Sequence, residues 1–277
     1  MKFQYLGTST AEGLPTMFCK CEVCEKSRRA GGRAIRTRTQ AAVDDRLLID
    51  FPPETNWHMQ REGLCLADFT DVLITHRHED HLYPADIQIL QNGFAYPPAG
   101  TRLTFHGTAL VGETVRPWIE GRLDREGTAF YREAVPYEPF AAGAYTVTPL
   151  PAVHSPQAGP VVYQITDGKK TILYAHDTNY FGEDVWAWWK ANPVHLDFVS
   201  LDCTYALAES PSAGHMNLEK NIAVRKRMQE MGLADDGTMF VCNHFSHNGG
   251  NVAYDDFVPA ALKEGFYTSY DGMTIEI

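Results

Sequence analysis

The sequence predicts an α/β chain in which β-sheets pack on one another and helices lie outside them. Short β-rich runs recur along its whole length, many bounded by Gly, Pro, Asp or Asn. Segments with helical spacing fall between these runs without the regular alternation of a doubly wound parallel sheet. With 277 residues and 44% hydrophobic content, the chain can bury a large core yet lies near the upper size of one domain. A single domain over 1–277 is therefore expected.

In chain order, the strand runs are KFQYLG, RLLID, DVLIT, RLTFHG, YTVTPL, VVYQIT, TILYAH, LDFVSL, TMFVC and MTIEI. Helices are expected over about 53–62 (after Pro52 and Pro53), 84–91, 108–121, 183–191, 217–231 and 252–263. The segment 217–231 has the clearest pattern, with Leu218, Ile222, Met228 and Met231 near helical spacing and Asn217 as N-cap. The Pro- and Gly-rich FAYPPAGTR, 94–102, reads as a surface loop. No apolar run reaches the length of a membrane span and MKFQYLGTST lacks the features of a signal peptide, so a cytoplasmic protein is expected. The formal charge of −11 repels long polyanions; a small anionic substrate held by metal fits it better.

The chain has 11 histidines, and VLITHRHEDH places three of them with two acids directly behind an apolar strand. His76 and His78 alternate by two, so an extended backbone points both to one side. Asp80 and His81 fall in the following turn and face a neighbouring point. One segment can thus feed two cations, and imidazole with carboxylate suits zinc or manganese. Further donors stand at the ends of other strand runs: His154 after VTPLPAV, Asp177 after TILYAH and His244 after TMFVCN.

This order, H-x-H-x-D-H and then His, Asp and His, resembles the metallo-β-lactamase superfamily over nearly the whole chain. The resemblance implies an αββα sandwich of two mixed β-sheets with helices on the outer faces, and metals in a groove at one edge of the paired sheets. It implies that His76, His78 and His154 hold one metal, Asp80, His81 and His244 the other, and that Asp177 bridges them. His78 stands where the flavodiiron branch has glutamate, which favours hydrolysis over electron transfer.

FCKCEVCEKSRR carries Cys19, Cys21 and Cys24, three ligands of a closed tetrahedral zinc site, and His247 in CNHFSHN is the natural fourth. The remaining cysteines, Cys65, Cys203 and Cys242, lie in or beside apolar segments and are expected to be buried. With H-x-H-x-D-H and the closing H-x-x-H, this N-terminal zinc knuckle is similar to the cyclic-phosphate phosphodiesterases of the carbon–phosphorus lyase (phosphonate) pathway. The pyrroloquinoline quinone biosynthesis protein B group shares a similar cysteine motif.

The expected function is a metal-dependent phosphodiesterase acting on a small cyclic or ribose-linked phosphodiester. Two catalytic divalent metals, zinc or manganese, and one structural zinc are expected. Cations sharing Asp177 would activate a bridging hydroxide. Asp80 belongs to that machinery, and His215 in SAGHMNLEK, outside the ligand set, is the candidate acid for the leaving oxygen. Arg28, Arg29 and Arg33, with Arg36 and Arg38, form a basic patch that could grip a second phosphate or simply face solvent. The alternatives are a transfer-RNA 3′-processing-type nuclease, for which no long basic arm is present, and a low-activity biosynthetic accessory protein. No membrane partner is expected, and a homodimer is compatible with the sequence.

Overall fold

A computed structural model describes residues 1–277. Fourteen strands form two seven-stranded sheets. The first sheet contains β1 (Lys2–Gly7), β2 (Gln40–Val43), β3 (Leu47–Ile49), β4 (Asp71–Leu73), β5 (Leu103–Gly107) and β6 (Ala129–Glu133). The second contains β7 (Phe140–Ala142), β8 (Tyr145–Pro151), β9 (Val161–Thr166), β10 (Thr171–Ala175), β11 (Phe198–Asp202), β12 (Met239–Asn243) and β13 (Tyr267–Thr268). The last strand, β14 (Thr274–Glu276), returns to pair with β1. Both sheets are mixed: β3 to β6 and β10 to β13 run parallel, and β1 to β3 and β7 to β10 pair antiparallel. Helices α1 (Glu22–Ala30), α2 (Thr55–Glu62), α3 (Ala109–Ile119), α4 (Leu123–Glu126), α5 (Glu183–Ala191), α6 (Leu218–Glu230) and α7 (Tyr254–Lys263) complete the chain.

The two-residue periodicity of strands divides the core into layers. Phe3 and Tyr5, Leu47 and Ile49, Ile172 and Tyr174, and Phe198 meet between the sheets. Their alternates face outward. Leu48, Val72 and Phe105 pack under Val111, Val115 and Ile119 of α3. Leu173, Val199 and Leu201 pack under Trp186 and Trp189 of α5, Val224 and Met228 of α6, and Phe257 of α7. The result is the αββα sandwich of two mixed sheets that the resemblance implied. Burying both faces of each sheet is why these strands read as continuous apolar runs.

Helix α6 starts as expected, with the Asn217 side chain accepting the Lys220 amide at 3.0 Å. Its buried face is Leu218, Asn221, Val224 and Met228, while Ile222 and Met231 are only half-buried. The segment expected as a helix over 84–91 is a 3-10 helix, Pro84–Leu90. Cys203 and Cys242 are buried as expected, but Cys65 is exposed, because it lies in the turn between α2 and β4 rather than in the core. No helix is long and apolar enough to cross a membrane.

Candidate metal centre

The histidine-rich segment leaves β4, and the other donors leave β8, β10 and β12, all at one edge of the sandwich. Carboxyl ends of neighbouring parallel strands converge on one crevice, so residues remote in sequence meet there. His76 Nε2 lies 2.9 Å from His78 Nδ1, and His154 Nε2 lies 3.3 Å from the same nitrogen. For tetrahedral zinc with bonds near 2.0–2.1 Å, ligand nitrogens stand about 3.3 Å apart. Asp80, His81 and His244 bring their donor atoms together as a second group.

Asp177 joins the two groups through different oxygens. Its Oδ2 lies 2.8 Å from both His81 Nε2 and His244 Nε2, and its Oδ1 lies 3.5 Å from His154 Nε2. His81 Nε2, His244 Nε2 and Asp177 Oδ2 are buried with no hydrogen-bond partner. Three buried donor atoms that converge at close range without well-formed hydrogen bonds are what a cation would satisfy. The residues therefore fit divalent cations, and the groups His76, His78 and His154 and Asp80, His81 and His244 that the resemblance implied are among those whose donor atoms converge.

Two acids that sequence reasoning missed orient the ligands. Asp50, after β3, accepts His81 Nδ1–H at 2.7 Å and also the Thr75 amide and hydroxyl, each at 2.8 Å. Asp202, ending β11, lies 3.0 Å from His215 Nδ1 and 3.3 Å from His244 Nδ1. These contacts turn the Nε2 atoms of His81 and His244 toward Asp177. Both acids follow apolar runs, LLID and VSLD, the same signal that pointed to Asp177. Asp50, Asp177 and His244 also share a left-handed backbone, with φ of 67°, 49° and 64°. Each such non-glycine conformation costs on the order of 1–3 kcal/mol and clusters where function demands it.

The electrostatics match this arrangement. Burial and the positive charge of His81 keep His76 far below the usual imidazole range, and burial lowers His154, so both are neutral donors. Burial disfavours charge on His244, yet Asp177 and Asp202 outweigh it and push its pKa up to about 10. Asp177 stays ionised because His244 and His81 outweigh its burial. The carboxylates thus require positive charge at the centre, and cations entering it would displace protons.

His215 sits beside the ligands, its ring 4.9 Å from that of His154 and 5.7 Å from that of His244. Burial lowers its pKa, but the charge and hydrogen bond of Asp202 and the charge of Asp177 raise it above the ordinary value. Thr204 Oγ1 contacts both His215 Nδ1 and His244 Nδ1, at 3.2 Å and 3.0 Å.

The sulfur atoms of Cys19, Cys21 and Cys24 and a ring nitrogen of His247 also converge. His247 Nδ1 is 3.4 Å from Cys19 Sγ and 3.5 Å from Cys21 Sγ. Tetrahedral zinc bonds of about 2.3 Å to sulfur and 2.1 Å to nitrogen put such atoms about 3.6 Å apart. Cys24 is buried beside Leu14 and Val23, and α1 begins directly after Cys21.

The arginines do not join the centre through any of their contacts. Arg28 pairs with Glu25 and donates to the Thr16 carbonyl. Arg33 lies over the Tyr270 ring at 4.1 Å, and Arg29 is exposed. Arg36 is buried, donating to Thr8 and Ser269, and Arg38 pairs with Glu54.

The family described as beta-lactamase superfamily domain matches residues 46–234. Coenzyme PQQ synthesis protein B of Methylobacterium radiotolerans is 31% identical over 115 residues, 37% of this chain and 38% of that relative. The match thus spans under two-fifths of the relative's length. Among solved structures, zinc-bound PqqB from Methylobacterium extorquens has a TM-score of 0.74 at 19% identity and full coverage of both chains. A diphosphatase from the PhnP family has 0.71 at 19%, over 100% of this chain and 98% of that one. The short form of human tRNase Z has 0.67 at 14%, over 100% and 99%. At these identities the structural likeness concerns the fold.

Proposed function

The chain belongs to the beta-lactamase superfamily, and from that premise we propose that it is a binuclear metal-dependent phosphodiesterase acting on a small cyclic or ribose-linked phosphodiester. The observation that carries this reading is the division of Asp177 between two ligand groups, with an acid–base histidine beside them. His76, His78 and His154 would hold one cation, and Asp80, His81 and His244 the other, with Asp177 between them. A closed zinc knuckle would take the third ion at Cys19, Cys21, Cys24 and His247. The combined knuckle and histidine motif, and the likeness to a PhnP-family diphosphatase, favour a phosphoester over a lactam or thioester.

Bound divalent cations supply Lewis acidity, lowering the pKa of a water and polarising a phosphoryl oxygen. The chain's own part is to orient and to move a proton. Asp50 and Asp202 fix the ring orientation of His81 and His244. With Nδ1 of His215 committed to Asp202, Nε2 is the atom left to protonate the departing alkoxide. Asp202 and Asp177 raise the basicity of His215, which favours its protonated form. The net charge of −11 and the prior engagement of Arg28, Arg33, Arg36 and Arg38 favour a small substrate over a long nucleic acid.

A second reading, a biosynthetic accessory protein of low activity, rests on the 31% identity with coenzyme PQQ synthesis protein B. Assay of protein reconstituted with zinc or manganese separates the two. The panel is bis-p-nitrophenyl phosphate, 2′,3′-cyclic nucleotides, 5-phosphoribosyl 1,2-cyclic phosphate, a precursor transfer RNA and a thioester. Preferred turnover of a small phosphodiester is expected. Turnover of the thioester alone, or of none, overturns the proposal.

A further inference from the structure

A second concave site lies on the outer face of the first sheet, lined by none of the residues of the metal centre. It is a cavity of about 460 Å³ between α2, the 3-10 helix Pro84–Leu90 and the loop at 95–98. Phe51, Met59, Leu66, Leu103 and Phe105 contribute apolar wall, and Phe51 meets Phe105 edge-on with ring centroids 5.7 Å apart. That volume falls in the range of small-ligand sites, roughly 300–1,000 Å³, and apolar walls with few polar groups are typical of them.

One feature of the wall is chemically specific. Among the lining residues the only ionisable group besides Cys65 and Tyr96 is Asp86, and no lysine, arginine or histidine faces it there. Burial alone raises the Asp86 pKa, with no charge or hydrogen bond opposing it. Two other half-buried acids of this chain, by contrast, are paired: Asp197 takes Lys170, and Glu54 takes Arg38. Asp86 is a carboxylate at the edge of an apolar wall without a counter-ion, and an ammonium group supplies the partner it lacks. An anionic ligand would meet repulsion at the same place.

We propose that this cavity binds a small hydrophobic amine, its ammonium group on Asp86 and its hydrocarbon among Phe51, Met59, Leu66 and Phe105. The site is independent of the proposed reaction. It nevertheless adjoins the metal centre through the backbone: the Phe51 amide donates to the His81 carbonyl at 2.7 Å, and Phe51 directly follows Asp50.

Calorimetric titration of the metal-loaded chain at neutral pH with hexylamine, 1-hexanol and hexanoate tests the assignment. Hexylamine should bind saturably and about 10-fold or more tighter than 1-hexanol, the ratio expected of one charge-assisted hydrogen bond. Hexanoate should bind more weakly than either. Asp86→Asn should bring hexylamine to the affinity of 1-hexanol while leaving the alcohol unchanged. Cys65 lines the cavity and is exposed, so it reports location without risk to the fold. Saturating hexylamine should slow alkylation of Cys65 by iodoacetamide about 10-fold. The proposal is overturned if no ligand saturates, if amine and alcohol bind equally, if Asp86→Asn leaves the preference intact, or if binding fails to protect Cys65.

Discussion

Replacing Asp50 by Asn isolates the role of ligand orientation. Asp50 Oδ2 accepts Nδ1–H of His81 at 2.7 Å, and Oδ1 accepts the Thr75 amide and hydroxyl. Asparagine keeps one oxygen for Thr75 but offers an NH₂ to His81. Two donors then face each other, unless the imidazole moves its proton to Nε2, the very atom that must ligate. The left-handed backbone at Asp50, φ 67°, suits asparagine equally well, so the fold should tolerate the change. Loss of an orienting carboxylate typically lowers metal affinity about 10–100-fold, or roughly 1.4–2.8 kcal/mol. That loss should fall on the cation proposed at Asp80, His81 and His244 and spare the one proposed at His76, His78 and His154. Stepwise removal of zinc by a colorimetric chelator reads the two affinities, with the thermal midpoint as a check on folding. Retention of both cations at unchanged affinity would refute the reasoning.

Other perturbations have distinct expected outcomes. His215→Asn should lower turnover about 10²–10⁴-fold, the contribution of a general acid, with metal content intact; loss of metal would make it a ligand. Gly214→Ala would place a Cβ 2.7 Å from His154 Nδ1, so weaker retention of the cation at His76, His78 and His154 is expected in the same chelator titration. Cys21→Ser should lose one zinc and lower the thermal midpoint, and unchanged zinc content would remove the knuckle. Burial, with a smaller effect of Arg61, holds the His58 pKa down at about 3. The unfolded chain binds that proton near pH 6.5, so this contribution to stability is complete above pH 6.5. It is lost as pH falls from 6.5 toward 3, on the order of 5 kcal/mol in all. His58→Gln should flatten that limb of a denaturant-derived stability profile; an unaltered slope would assign the limb to other groups.

The parts of this centre that were legible in the sequence are those with a spacing. His76, His78, Asp80 and His81 crowd into one turn, and three cysteines into another, so periodicity and ligand chemistry place them without tertiary information. His154, Asp177 and His244 have no local spacing and depend on their order along the chain. Asp50 and Asp202 carry the same strand-end signal, but an acid after a strand is too common to single out until the fold brings it to a histidine ring. Helix α1 escaped notice because charged residues and cysteines obscure its pattern, with only Val23, Cys24 and Ser27 buried. Strand β2, QAAV, is half alanine, which has little strand preference; sheet burial on both faces overrides it. The arginine patch shows the limit from the other side. Density of charge is visible in sequence, but its direction is set by partners such as Glu25, Tyr270 and Ser269.

Anomalous diffraction at the zinc edge, from crystals of protein purified without chelator, addresses the metal assignment directly. Peaks are expected on either side of Asp177, one among His76, His78 and His154 and one among Asp80, His81 and His244. A further peak is expected within Cys19, Cys21, Cys24 and His247. A lone peak at the cysteines, with none beside Asp177, would contradict the account.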